Sequence, residues 1–402
     1  MNAQMGVPVP RIAAYVYPGW HPTPERDANF HPGFTEWELV RACRPRFDGH
    51  LQPRVPLLGE YDDRDPVGVG KRVRLAQEHG VDAFVYGWFW CRGKRVFEEA
   101  LEHGFLGGDH GRDTPFALMW ANRMPRRVLP VARADVPVLD PARFVDTDVD
   151  DFGALLEHVA ERYFVRANYV RVDGAAYFSI FDSSFFLREL GLDAARTAIT
   201  RARERLRARG FGALHLAAIE PGNDVIGKLR DVGFDSVTNY VLLPDWKGPF
   251  LQDYAERAAA CAQTWPSIAS ATGLPYMPSV SPGWDASPRG ADFGHARPTK
   301  YPWWPVVVGE HPELFRAALE RALRFARDRG PQGGLVFVAS LNEWSEGHTL
   351  EPDTHFGHGW LEAVRMARLA VLGAAATSRD SSAGAGTDDL DISLRHARAD
   401  LR

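Results

Sequence analysis

Eight short apolar runs mark this chain, seven of them followed by a helical stretch before the next run or the end, and few folds accept that rhythm. The runs fall at 11–17, 82–88, 115–121, 175–181, 213–219, 234–240, 276–281 and 334–340. Most are continuously apolar rather than alternating, as strands covered on both faces are. Helical patterns lie between them at 66–79, 151–163, 193–209, 223–232, 251–272, 311–329 and 357–372. Pro66 opens the first and Gly80 follows it, while Gly210 and Gly330 stop two others, the asymmetry that helix ends favour. The repeated alternation predicts an α/β chain closed into a single (β/α)8 barrel of the TIM type. An open doubly wound sheet is the competing arrangement.

The barrel is expected to occupy residues 11–373, after an N-terminal extension at 1–10. Residues 374–402 are rich in Ala, Ser, Gly and Asp and nearly free of aromatics, and read as a disordered tail. The connection after the first strand, residues 19–64, is far longer than barrel loops usually are. It carries too many aromatics for disorder, so it reads as a functional insertion.

Bulk properties narrow the function. The formal net charge of -5 gives no basic stripe for nucleic acid. Cys43, Cys91 and Cys261 are widely spaced and odd in number, which argues against a disulfide framework or a zinc site. The first eleven residues lack the basic-then-apolar pattern of a signal peptide, and no apolar run approaches the roughly 18 residues of a membrane span. A cytoplasmic location is the expectation from those features. The segment Gly68-Val69-Gly70-Lys71 lacks phosphate-loop spacing, no His-x-x-x-His pair lies on a helix, and Ser345 has no Gly-x-Ser-x-Gly frame. No cofactor or metal is therefore expected. Oligomeric state is not encoded in these patterns.

Barrel enzymes carry their sites beyond the C-terminal strand ends. Seven of the 12 tryptophans fall there: Trp20, Trp88, Trp90, Trp120, Trp246, Trp284 and Trp344. Carboxylates and amides are interspersed, namely Asn122, Asp182, Glu220, Asp245, Asp285 and Asn342. Aromatics stack on apolar sugar faces while carboxylates and amides bond sugar hydroxyls, so this mixture points to a glycan. Trp20, Trp88, Trp120, Tyr240, Trp284 and Trp344 form the expected sugar platform. Glu36, Asn122, Glu220, Asp285 and Asn342 are the expected hydroxyl contacts, with Glu36 and Trp37 alternatively fixing the insertion on the barrel mouth. Tyr15 fits either the barrel top or the core.

The sharpest local feature is Asn342-Glu343-Trp344-Ser345-Glu346-Gly347, directly after the eighth run. On a turn, carboxylates three residues apart lie about 5–6 Å apart at Cβ. Two carboxyls in a partly dry site separate into one acid and one base, which is what cleavage of a glycosidic bond requires. Glu343 and Glu346 are thus the catalytic candidates.

These segments resemble the WbsX-like proteins of polysaccharide gene clusters, whose domain is shared with glycoside hydrolase family 99, the endo-α-mannosidases and endo-α-mannanases. The resemblance is carried by Ile12 to Trp20, His21-Pro22-Thr23-Pro24-Glu25, Gly33 to Trp37, Gly49 to Pro53, Tyr61-Asp62 and Arg64-Asp65-Pro66. Trp120-Ala121-Asn122, Tyr169 to Gly174, Pro282 to Asp285, Asn342 to Gly347, Leu350 to Asp353 and Gly357 extend it. It implies a (β/α)8 fold and metal-independent chemistry. Glu343 would act as base on the substrate's own 2-hydroxyl, and Glu346 as general acid and then base. Two departures concern the substrate. Arg123-Met124-Pro125 stand where Glu-Asn-Trp is usual, and Leu341 stands where Trp is usual.

A glycosyltransferase using a nucleotide sugar is the main rival, since the WbsX name has been attached to such enzymes. It would want a diphosphate site, and Asp146-Thr147-Asp148-Val149-Asp150-Asp151 has metal-holding spacing. That cluster precedes a predicted helix, where acidic residues serve the helix N-terminus. A non-catalytic glycan-binding barrel is the other rival, and it would tolerate loss of either glutamate. The expected partner in every case is an oligosaccharide, polysaccharide or glycoconjugate.

Overall fold

The computed structural model describes residues 10–122, 147–290, 299–329 and 334–383. Within them lie eight parallel strands: β1 (Arg11–Val16), β2 (Ala83–Cys91), β3 (Phe116–Trp120), β4 (Ala175–Ile180), β5 (Leu214–Ile219), β6 (Ser236–Thr238), β7 (Ser279–Val280) and β8 (Leu335–Val338). All eight lie within or across the predicted runs. They pair in barrel order, with β1 between β8 and β2 through Ala13↔Phe337 and Ala13↔Ala83. Leu118↔Phe178, Phe178↔Leu216 and Ala218↔Val237 carry the ladder from β3 to β6. The last gap is bridged by Val237↔Tyr276, just before β7, so the sheet closes on itself with one loose seam.

The lumen is filled rather than open. Tyr15 stacks on Phe337 at 5.1 Å, Tyr177 lies 5.9 Å from the same ring, and Tyr15 meets Tyr240 at 4.9 Å. Tyr15 is therefore a core residue that also supports the barrel top. Helices form where local chemistry starts them. Asp65 accepts from the Val67 and Gly68 amides with Pro66 in the first turn, opening the helix Pro66–Glu78. Asp148 does the same for Asp150 and Asp151, opening Val149–Val159. The described part of the aspartate cluster is thus a helix cap, and Asp151 is further engaged by the Trp90 indole at 3.0 Å.

Two boundaries differ from the sequence reading. The helix expected from residue 251 begins at Tyr254, because Leu251–Asp253 pairs in parallel with Val306–Val308 and Asp253 caps the helix. The final helix runs from Gly359 to Ala383, beyond the predicted end at residue 372 and into the segment read as tail. Residues 384–402, the first nine residues of the N-terminal extension, and Arg123-Met124-Pro125 lie outside the described residues. Among the described residues, no helix is long and apolar enough to cross a membrane.

The long insertion is ordered. Its helices Pro24–Asn29 and Trp37–Ala42 lie over the C-terminal end of the barrel. Trp37 packs on Trp20 at 4.0 Å and donates from Nε1 to the Tyr61 carbonyl at 2.8 Å. This packing carries Glu36 into the barrel mouth.

Candidate active site

β8 runs directly into the glutamate segment. Asn342–Glu343 pairs antiparallel with His348–Thr349, and Trp344–Glu346 makes one 3-10 turn between them. Gly347 closes this tight hairpin at φ 69°, and a Cβ there would meet the Asp285 backbone at 2.9 Å. Only glycine meets both conditions. Asn342 anchors the hairpin to β1, accepting from the Tyr17 amide at 2.8 Å and donating to the Tyr17 carbonyl at 2.9 Å. The Asp285 amide holds the other side, bonding the Glu346 carbonyl at 2.8 Å.

The turn directs both glutamates to one cation, Arg289, on the short helix Ser287–Gly290 that follows β7. Arg289 Nη2 donates to Glu343 at 3.1 Å and Nη1 donates to Glu346. Nε donates to Glu36 at 3.3 Å. Tyr301 Oη lies 3.0 Å from Arg289 Nη1 and donates to Glu346 at 2.9 Å. Ser345 Oγ lies 3.0 Å from Glu343 and also bonds Glu36. Behind them Arg26 donates to Glu36 at 2.6 Å and to Tyr17 Oη at 2.8 Å. Two guanidiniums thus face three carboxylates, and all five side chains are buried.

The two glutamates are pushed apart. Burial drives Glu343 well above the usual carboxylate range; Arg289 opposes this, and the charges of Glu346 and Glu36 reinforce it. Burial works against Glu346 too, but Arg289, His348 and Tyr301 outweigh it and hold the group down to about 2. Glu36 sits below its ordinary value, because Arg289, Arg26, Ser345 and Tyr17 together overcome its burial. His348 is lowered by burial, so it is neutral near pH 7, and its Nε2 lies 3.1 Å from Glu346. An ionised Glu346 makes Nε2 the protonated nitrogen. His348 Nδ1 then has no hydrogen-bond partner among the described residues.

The aromatics divide into two groups. Trp20, Trp120 and Trp344 are wholly buried, donating from Nε1 to the Asn342 carbonyl, the Trp90 carbonyl and Glu351 respectively. Trp88 is buried against Trp90 and His158. These four hold loops and strand ends together. By contrast, Trp284 stacks on His348 at 5.6 Å, Tyr240 meets the same imidazole edge-on at 5.7 Å, and Trp246, 52% exposed, stands against Trp284 at 5.3 Å. Trp284, Tyr240 and Trp246 therefore border the glutamates.

The polar candidates divide similarly. Asn122 exchanges two hydrogen bonds with the backbone of Asp182 and acts as a staple, as Asn342 does. Asp285 accepts from His50 at 2.8 Å and Gln52 at 2.7 Å, tying the insertion to the β7 loop. Those bonds overcome its burial and hold it well below the usual carboxylate range. Glu220 is half-buried after β5, accepting from the Tyr240 amide at 2.9 Å. Its burial, only partly offset by that bond, pushes it up to about 7. A carboxyl that is protonated up to about 7 when folded, but ionises near 4.5 when unfolded, stabilises the fold below that window. The contribution is lost as pH rises through it. Glu220→Gln is therefore expected to gain up to about 3 kcal/mol over wild type at pH 8, with a flatter stability between pH 5 and 8 in urea titrations. A variant less stable than wild type at pH 8 would contradict a Glu220 raised by burial.

Arg289, Tyr301 and Arg26 are the members of this cluster that the sequence reading missed. The available signal was chemical: buried carboxylates need a cation, and Arg289 lies four positions past Asp285 in the same strand-end loop. The fold also gathers His21, Asp62 and Asp63, whose ligand atoms fall within 4.8 Å of one another, a grouping the sequence did not suggest. His21 Nδ1 and Asp63 are bonded to each other at 2.6 Å and Asp62 is held by Arg64 at 2.6 Å, so the cluster satisfies itself.

Comparison with known proteins gives a consistent placement. A family model described as glycosyltransferase WbsX matches residues 12–364. Two curated relatives, both called uncharacterized protein WxcX, come from two strains of Xanthomonas campestris pv. campestris. Each is 32% identical over 376 residues, covering 89% of this chain and 49% of the relative. The chain thus spans about half the length of the curated relatives it matches. Among solved structures, the GH99 endo-α-mannosidase from Bacteroides thetaiotaomicron superposes with a TM-score of 0.58 at 15% identity, covering 91% of this chain and 98% of that one. A glycoside hydrolase-like protein superposes equally, at 0.58 and 14% identity, over 91% of this chain and 97% of its own. At such identities the likeness is one of fold. The sequence match across nearly the whole barrel shows that this chain belongs to the WbsX glycosyltransferase family.

Proposed function

We propose that this chain is a carbohydrate-active enzyme that breaks an α-glycosidic bond, or transfers the sugar across it, using Glu343 and Glu346. The observation that carries this reading is the split pair. Two buried carboxyls share one guanidinium, with burial raising Glu343 and Arg289, His348 and Tyr301 lowering Glu346, beside Trp284, Tyr240 and Trp246. An acid and a base side by side, next to aromatic faces, suit glycosyl chemistry. The α configuration rests on the endo-α-mannosidase-like motif and fold. In the substrate-assisted scheme, Glu343 takes the 2-hydroxyl proton and Glu346 protonates the leaving oxygen. The substrate would be an oligosaccharide, polysaccharide or glycoconjugate.

One observation favours a second reading of the roles. Burial raises Glu343 while Arg289, His348 and Tyr301 lower Glu346, so Glu343 is the readier proton holder, the opposite of what that scheme requires. Either the proton changes place when sugar binds, or Glu343 is the acid and Glu346 the base. The nucleotide-sugar reading finds less support, since Asp148 and Asp151 are spent on a helix cap and an indole. Incubating the protein with an α-mannan, a panel of activated α-glycosides and a set of nucleotide sugars tests the proposal. New reducing ends or aryl alcohol, with nucleotide sugars intact, are expected. Release of nucleoside diphosphate with no glycoside turnover would contradict it.

A further inference from the structure

The three carboxylates of the site are not equally supplied with donors. Glu36 receives Arg26, Arg289, Tyr17 and Ser345. Glu346 receives Arg289, Tyr301 and His348. Glu343 receives one arm of Arg289 and a Ser345 hydroxyl that it shares with Glu36. A buried cluster of two cations and three carboxylates reaches neutrality by holding one proton, and coupled groups share it according to their donors. Arg289 is the donor common to all three. Tyr17 lies under its guanidinium at 5.3 Å, Tyr240 faces the pair from β6's end, and Arg54, itself paired with buried Glu310, acts on His348 but donates to none of the three carboxylates.

We propose that Arg289 is the positioning residue that decides which member of the Glu343/Glu346 pair carries the proton. When a sugar hydroxyl takes the place of its Nη1 arm on Glu346, the preference passes from Glu343 to Glu346. One proton then moves between two carboxyls: Glu343 becomes the carboxylate, Glu346 the acid, and the charge of the site is unchanged. This reconciles the resting arrangement with the substrate-assisted roles, and it rests on the pair being catalytic. A planar fork reaches three carboxylates at once, which a lysine ammonium does not.

Carboxyl-carbon NMR titration of the substrate-free protein tests this without needing turnover. Resonances are assigned by their loss in Glu343→Gln and Glu346→Gln. In wild type, Glu343 should titrate high and Glu346 stay ionised far into acid. In Arg289→Lys, the Glu346 titration should rise by at least about one pH unit and that of Glu343 should fall. Tyr301→Phe should shift Glu346 the same way by less. On a cleaved glycoside, Arg289→Lys should move the acid limb of kcat/KM by the same amount and lower its pH 7 value about 100-fold. Titrations unmoved in a folded Arg289→Lys protein overturn the proposal. Should that variant not fold, a wild type in which Glu346 titrates above Glu343 overturns it. A wild type inert on every glycoside would remove the glycosidase reading while the titration still judged Arg289. An active wild type with unmoved titrations would remove only the role of Arg289.

Discussion

Glu346→Gln is expected to lower kcat on a natural glycan by on the order of 10³- to 10⁴-fold while leaving the protein folded. The amide keeps the shape of the side chain and still accepts from Tyr301 and Arg289, so the loss is chemical. In free energy it is about 4–5.5 kcal/mol of transition-state stabilisation. The leaving group separates the roles. If Glu346 is the acid, an aryl glycoside whose leaving group needs no proton should lose much less activity than the glycan. Glu343→Gln, removing the base, should then impair both substrates alike. If the roles are reversed, the two variants exchange patterns. Equal, modest losses of under tenfold from both variants on both substrates would contradict a catalytic pair.

Glu36→Ala is expected to cost about 3–5 kcal/mol of stability, because breaking a buried ion pair leaves the remaining charge unmatched in low dielectric. Here one carboxylate serves two guanidiniums: Arg26 at 2.6 Å and Arg289 at 3.3 Å. Glu36 and Arg26 are wholly enclosed, so water does not reach either charge to replace the lost partner. Urea unfolding at pH 7 reads the effect. Glu36→Gln, which keeps acceptor oxygen but not charge, should fall between wild type and Ala. A loss below about 1 kcal/mol for the alanine variant is what a solvated surface pair would give, and would contradict the enclosed network.

The barrel was legible because its strands are buried on both faces, which turns each into an apolar run such as Ala83 to Trp88 or Leu335 to Val338. Their ends were less so. The segment from Leu251 looks helical by composition, yet its first residues are captured by Val306–Val308, a partner remote in sequence. That Glu343 and Glu346 converge was legible because their spacing is local. Their cation was not, since Arg289 stands 54 and 57 positions from the two glutamates and 253 from Glu36. Tryptophans at strand ends were located by sequence, but not their direction. Trp120 turns inward because the Trp90 carbonyl on the neighbouring strand satisfies its indole, whereas Trp284 turns to His348. Asp285 has the residue type of a sugar contact, but His50 and Gln52, 235 and 233 positions away, both bond its Oδ2, and the Ser287 amide bonds Oδ1. Each of these directions is set by pairings remote in sequence that no local pattern records.

The most direct test of the central assignment compares wild type, Glu343→Gln and Glu346→Gln side by side on one α-glycan substrate, with nucleotide-sugar consumption followed in parallel. The account requires glycan cleavage or transfer by wild type, loss of several orders of magnitude in both variants, and no dependence on a nucleotide sugar. Nucleotide-sugar turnover that proceeds at the same rate in all three proteins would contradict it and move the chemistry away from this pair.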